Sequence, residues 1–264
     1  MNRYLEKIKA LKLKSDAFLG SKLLNVEACK LHYNSEFKHN QELTKQEIWK
    51  NFMIEFAYNT ASIEGNTIKL NEARNLLQEG VTPKNKPLRD IYDLKNTEDV
   101  FMKLFYFKEE INHNFIIDIH KELLKNIDPR IGYRTQDVRV IKANFKATPT
   151  PYVKTDMDLL LEWYEKNRNK LHPLVLAIIF HHKFEKIHPF FDGNGRTGRM
   201  LMNYILIQNN YPPIVIHTKL KTSYLQALRK ADNSNLTKNE KEDYDKIIEF
   251  IVDEMSNTYW NIFL

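Results

Sequence analysis

Thirteen residues, Ile187 to Arg199, read IHPFFDGNGRTGR and gather the side chains needed for chemistry on a phosphoanhydride. His188 stands before Pro189, which cannot continue a helix, so an imidazole is placed at a helix end where it can act as a base near neutral pH. Asp192 is a hard carboxylate of the kind that holds Mg²⁺ against phosphate oxygens. Gly193 and Gly195 let backbone come close to a ligand, and the amides of a helix start bind anions. Asn194 between them is a further donor or an N-cap. Arg196 and Arg199 fall three apart at the positive end of the following helix, where two cations are unfavourable by a few tenths of a kcal/mol each unless an anion neutralises them. Taken singly, each residue has an ordinary alternative. A lone His is more often a hydrogen-bonded core residue, an Asp before Gly is a turn former, and Phe190 and Phe191 are anchors for the loop. Their convergence in one short segment is what singles them out.

The flanking segments position that loop. HHKFEK upstream reads as a helix end and MLMNYILIQNN downstream as a strongly apolar helix. Spacings of three and four between apolar residues predict helices over Ile48–Ile63 with Thr44 as N-cap, and over 71–78, 87–107, 115–125, 155–170, 173–187, 194–209, 221–230 and 241–263. Gly80 is read as a C′ residue. Gly132–Pro151 instead alternates β-branched and polar residues around Val138, Val140 and Phe145 and is read as a β-hairpin. The expected fold class is therefore all-α with one short hairpin. Residues 1–43 are read as an N-terminal helical arm and 44–264 as the main domain.

Composition sets the outer bounds. The chain has 264 residues, 42% hydrophobic, with 7 Gly and 9 Pro, which supports a real core and argues against low complexity. The net charge of +6 permits an anionic partner without requiring one, because Lys and Glu alternate along solvated helix faces. Cys29 is the single cysteine, so intrachain disulfides and cysteine metal clusters are excluded. No signal peptide is read at the charged N-terminus, and no apolar run reaches about 18 residues. The expected setting is cytoplasmic, without membrane contact.

The segment HPFFDGNGRTGR resembles the signature HPFx(D/E)GNGRxxR of the Fic/Doc family, nucleotidyltransferases that mostly transfer AMP, with each fixed position present. FEKIHPF and the hairpin followed by Pro-Tyr extend the likeness over roughly residues 44–250. The resemblance implies a helical core with the motif loop between two central helices and a hairpin flap over the site. It makes His188 the base for a Tyr, Ser or Thr hydroxyl on a target protein and Asp192 the Mg²⁺ ligand on the α- and β-phosphates of ATP. Gly193, Asn194 and Gly195 become the anion hole, Arg196 the β-phosphate contact and Arg199 the γ-phosphate contact. Tyr224 would line the adenine pocket, and the flap residues Val138, Arg139, Val140, Ile141 and Phe145 would pair with an extended target segment.

A second match lies far upstream. TASIEG, Thr60 to Gly65, fits the family's inhibitory pattern (S/T)xxxE(G/N) within a helix expected over about 45–64. Thr60 and Glu64 share a helix face, and Gly65 ends the helix. The resemblance implies that Glu64 pairs with Arg199 and keeps it from the γ-phosphate. The ordinary alternative is a surface Glu near a helix end, where a carboxylate is disfavoured.

Three functions remain open on the sequence. One is AMP transfer to a protein hydroxyl, including self-modification. Another uses the same site with a different nucleotide or to remove AMP. The last is a non-enzymatic regulatory or toxin–antitoxin-type binding protein. No nucleic acid is expected as a partner, since the basic residues form no aromatic-interleaved stripe, and the absence of HExxH excludes that metalloprotease class. The arm and the terminal YWNIFL are read as apolar surfaces for a homo-oligomer.

Overall fold

The structure, a computed structural model, describes residues 2–10, 13, 15–138 and 146–263. Two helices form its centre. α8 (Pro173–Ile187) has Pro173 at its first turn and His172 as cap, the ring Nδ1 accepting from the Leu174 amide at 3.2 Å. Each residue from Leu174 to Phe184 is buried, so this helix shows no polar face: it is surrounded on all sides. α9 (Asn194–Gln208) is buried without interruption from Arg196 to Leu206 and packs against α8. Only the six residues 188–193 join them, and these carry most of the candidate chemistry.

The other helices wrap this pair. α1 (Asn2–Ala10) and α2 (Leu23–Ser35) form the arm, followed by α3 (Glu42–Ile63), α4 (Leu70–Glu79), α5 (Leu88–Leu104) and α6 (His113–Leu123). α7 (Val153–Asn167) precedes the central pair, and α10 (Lys221–Ala231) and α11 (Lys241–Ile262) follow it. α3 begins at Glu42 after Gln41, so Thr44 lies inside the helix rather than capping it. Asn112 caps α6 by accepting from the Phe115 amide at 3.0 Å. Gly80 ends α4 with φ 69°, a left-handed turn that suits glycine.

The arm's Leu23, Val26, Cys29, Tyr33 and Phe37 are buried in the same apolar core as α3, α8, α9 and α11. Phe37 meets Phe263 edge-on at 4.9 Å, and Trp49 bridges Phe37, Phe52 and Phe105. Burying each such ring contributes about 1.5–3 kcal/mol. Tyr259 and Phe263 are therefore spent inside this chain's own core, and the apolar end of α11 is not the open surface that YWNIFL suggests.

No strand occurs among the described residues. Of the expected flap, Val138 is described and half-buried, while Arg139, Val140, Ile141 and Phe145 lie outside the described residues. No described helix is long and apolar enough to cross a membrane.

Candidate active site

The loop starts where α8 stops. His188 adopts φ 54°, its amide donating back to the Phe184 carbonyl at 3.0 Å, and Pro189 then prevents another turn. The imidazole Nδ1 lies 3.3 Å from the Glu185 carbonyl oxygen. A carbonyl only accepts, so Nδ1 carries the proton and Nε2 keeps its lone pair. Burial pushes the imidazole below its ordinary range, against the opposing pull of the Glu185 carbonyl and the Glu64 charge, so the neutral, basic form is favoured.

The loop backbone is held from several sides. Asn194 accepts from the Phe190 amide through Oδ1 and donates to the Phe190 carbonyl through Nδ2, both at 2.9 Å. Its amide is thereby fully committed to loop shape, and the cap position of α9 belongs to Gly193 (φ 79°) instead. His120 on α6 donates from Nε2 to the Asp192 carbonyl at 3.0 Å and stacks on Phe190 at 3.7 Å. Burial lowers His120 to about 4, which keeps it neutral. A Cβ at Gly193 would meet Leu124 at 2.5 Å, so the loop can lie this close to α6 only with glycine there. On the other side Arg134 donates to the His188 and Pro189 carbonyls, each at 2.9 Å.

All three charged side chains from Asp192 to Arg199 are paired from outside the loop. Asp192 accepts from the Gly193 amide at 2.6 Å and from Arg196 at 3.1 Å through Oδ1, while Oδ2 meets Arg89 of α5. Burial would raise this carboxyl, but Arg196 and Arg89 outweigh it and hold it below the usual carboxylate range. Arg196, 1% exposed, is paired with Asp93 of α5. Arg199 is buried beneath α3. Its Nε donates to Thr60 Oγ1 at 2.6 Å, and Nη2 donates to the Thr60 carbonyl at 3.0 Å and to Glu64 Oε1 at 2.7 Å.

Glu64 is the C-cap residue just past α3, before Gly65 turns the chain with φ 104°. Its carboxyl would be raised by burial, but Arg199 dominates and keeps it ionised. A Cβ on Gly195 would stand 2.1 Å from Glu64 Oε1 and 3.0 Å from Arg199 Nη1. The carboxylate thus rests on the first turn of α9, whose amides have no intrahelical partners and favour an anion. Tyr224 of α10 sits deeper, 1% exposed, with its hydroxyl 2.5 Å from His181 Nε2. Its hydroxyl serves a buried network behind Arg199 rather than an open wall.

For a divalent cation, Asp192 is the suitable donor: a hard carboxylate, 31% exposed and held ionised. No group of three or more His, Cys, Asp or Glu positioned to hold a metal occurs among the described residues. One carboxylate plus substrate phosphates is an ordinary Mg²⁺ donor set, so the site fits a metal that arrives with its nucleotide.

Arg134, His120, Arg89 and Asp93 carry no signal in the sequence that marks them as part of this site. They come from two helices and a loop, and nothing in their spacing along the chain ties them to residues 188–199.

A family model described as Fic/DOC family matches residues 110–206. The chain belongs to this family. It is 28% identical over 208 residues to protein adenylyltransferase fic-1 of Caenorhabditis elegans, an alignment covering 76% of this chain and 41% of that protein. This chain therefore spans well under half the length of that curated relative. In three dimensions it is similar to a Fic domain containing signaling protein from Bacteroides thetaiotaomicron, with a TM-score of 0.82, 24% identity, and coverage of 90% and 96% of the two chains. It is more distantly similar to IbpAFic2, described in complex with adenylylated Cdc42, at a TM-score of 0.50 and 12% identity, covering 97% and 83%. At these identities the structural likeness carries the fold alone.

Proposed function

We propose that this chain is a protein adenylyltransferase that moves AMP from ATP to a Tyr, Ser or Thr hydroxyl of a target protein and is held inactive by Glu64 on Arg199. The observation that carries the reading is an anion-seeking helix start six residues after His188, whose Nε2 keeps its lone pair, with an acidic side chain from α3 lying across that helix start. The curated relative's name and the adenylylated protein partner of IbpAFic2 favour the same activity.

In this mechanism His188 Nε2 takes the hydroxyl proton as the oxygen attacks the α-phosphorus, and pyrophosphate leaves with the bond to its bridging oxygen. The amides at the start of α9 and the guanidinium of Arg196 stabilise negative charge at the phosphates. Arg199 completes the set once Glu64 withdraws. Mg²⁺ held by Asp192 would neutralise phosphate charge. The brake needs to favour the closed state by only about 2.7 kcal/mol to hold activity near 1%, which the buried Arg199 guanidinium approaches through its bonds to Thr60 and to the one-third exposed Glu64 carboxylate together.

Incubating wild type and Glu64→Gly with labelled ATP, Mg²⁺ and a cell lysate tests the proposal. Incorporation into this chain or a target rises at least tenfold in Glu64→Gly and disappears in Glu64→Gly/His188→Ala, which still binds ATP. Unchanged incorporation in folded Glu64→Gly rejects the brake, and turnover without His188 rejects its role as base. Glu64 is also one-third exposed and borders the anion site, which favours a second reading in which it orients water to remove AMP. Loss of AMP from a modified target, abolished by Glu64→Gly, would select that reading.

A further inference from the structure

Arg134 is 3% exposed, yet the carboxylate paired with it, Asp137, lies at the surface. Asp137, 3.5 Å away, is 75% exposed, and its Oδ1 accepts from the Thr150 amide and hydroxyl, each at 2.8 Å. A buried guanidinium is expensive unless its donors are satisfied. Here they are satisfied by oxygens of three segments. Nε donates to the His188 carbonyl at 2.9 Å, and Nη1 donates to the Gln136 carbonyl at 3.1 Å and to Thr150 Oγ1 at 2.9 Å. Nη2 donates to the Thr148 carbonyl, and the Arg134 main-chain amide donates to the Pro189 carbonyl at 2.9 Å.

Two successive carbonyls, those of His188 and Pro189, are thus gripped by one residue. They flank the strained point of the loop. His188 has φ 54°, a left-handed backbone that costs about 1–3 kcal/mol in a non-glycine residue. Pro189 further restricts the residue before it. Without an outside hold, the His188 backbone would relax and swing the imidazole away from the Glu185 carbonyl that fixes its tautomer. We propose that Arg134 is the positioning residue for His188, locking the His188–Pro189 backbone so that Nδ1 faces the Glu185 carbonyl and Nε2 is left to accept a proton. This rests on the reading of His188 as the base. Lysine keeps the charge but is a single compact donor group that cannot span three segments with a planar fork.

The test uses Arg134→Lys and Arg134→Gln in the Glu64→Gly chain. Transfer kinetics, thermal melting and the imidazole resonances of His188, assigned by comparison with His188→Ala, are measured together. The expected result is a folded protein with kcat reduced about 10- to 100-fold and KM for ATP changed less than about threefold. The His188 resonances shift, and their titration moves up toward that of a free imidazole. A folded variant with parental kcat and parental His188 resonances overturns the proposal. Collapse of both variants also overturns it, because Arg134 would then determine the fold rather than the His188 site. Should the Glu64→Gly parent transfer no AMP, the adenylyltransferase reading fails, while the His188 resonances still report whether Arg134 holds the ring.

Discussion

Arg199 illustrates how far a residue's type, without its direction, can be read. The sequence presents a cation with no local partner at a helix start, and 135 positions upstream a carboxylate one turn after a threonine; the structure joins them at 2.7 Å. Asn194 has the right type but a different direction: both ends of its amide point back at Phe190, so its contribution is loop shape. His188 is legible as a base because Pro189 marks the helix end, but its protonation state depends on burial that no spacing reveals. That state leads to an expectation. A base works when neutral, so activity is lost as pH falls through its folded pKa. Burial lowers that pKa from 6.5, so the acid limb of kcat/KM in the Glu64→Gly chain should have its midpoint below pH 6.5 and be flat between pH 7 and 8. A midpoint above 6.5 would mean that the Glu185 carbonyl and the Asp192 charge, not burial, control the ring.

At the scale of elements, periodicity located the helices well, and α8 spans Pro173–Ile187 as the spacing predicts. What it could not supply is which helix serves the site. α5 shows no chemistry in sequence, yet it supplies Arg89 to Asp192 and Asp93 to Arg196. It also fixes the turn after α3. Asp90 accepts from the Thr67 amide at 2.9 Å and from the Thr67 hydroxyl at 2.7 Å, and Asn66 Nδ2 donates to the Asp90 carbonyl at 2.9 Å. Glu64, Arg89 and Asp93 therefore close the loop as one unit, of which Glu64→Gly releases only the Arg199 end. Arg89 still covers the outward oxygen of Asp192, which a metal ion bound there would have to take from it. The pair is about half exposed on the Arg89 side, so its hold is modest. Calorimetric titration of the Glu64→Gly chain with ATP, with and without Mg²⁺, should show that Arg89→Ala enlarges the affinity gained from Mg²⁺ by about 2- to 5-fold. Weaker binding of Mg²⁺–ATP instead would make Arg89 a phosphate ligand.

In the molecule as a whole, the arm that the sequence separates at residue 43 shares its core with α3 and α11. Sequence irregularity marked a boundary that packing does not respect, because Tyr33 and Phe37 stack at 5.5 Å and fill space beside Phe263. The same dense centre encloses ionisable groups, and stability must answer to pH through them. Glu185 on α8 has Oε1 buried without a partner, so close to Gly198 that a Cβ there would come within 2.8 Å of it. Burial, helped by the nearby Glu64 charge and opposed by Arg199, raises this carboxyl from 4.5 to about 8. Between those values the folded chain keeps a proton that the unfolded chain releases, so this group's contribution falls as pH rises from 4.5 to 8. Two buried histidines act in the other direction. His181, lowered to about 3, and His120, lowered to about 4, stay neutral when folded, and their contribution is lost as pH falls below 6.5. Glu185→Gln keeps the shape of the protonated carboxyl and cannot ionise, so it removes only the alkaline component. Its melting temperature should exceed that of wild type by about 3–8 °C at pH 8, and the difference should shrink toward zero at pH 5, where the carboxyl is largely protonated in the folded chain and closest to protonation in the unfolded one. A difference of equal size at both pH values would show that Glu185 is ionised in the folded protein, and with it that Arg199 is shared between two carboxylates rather than held by Glu64 alone.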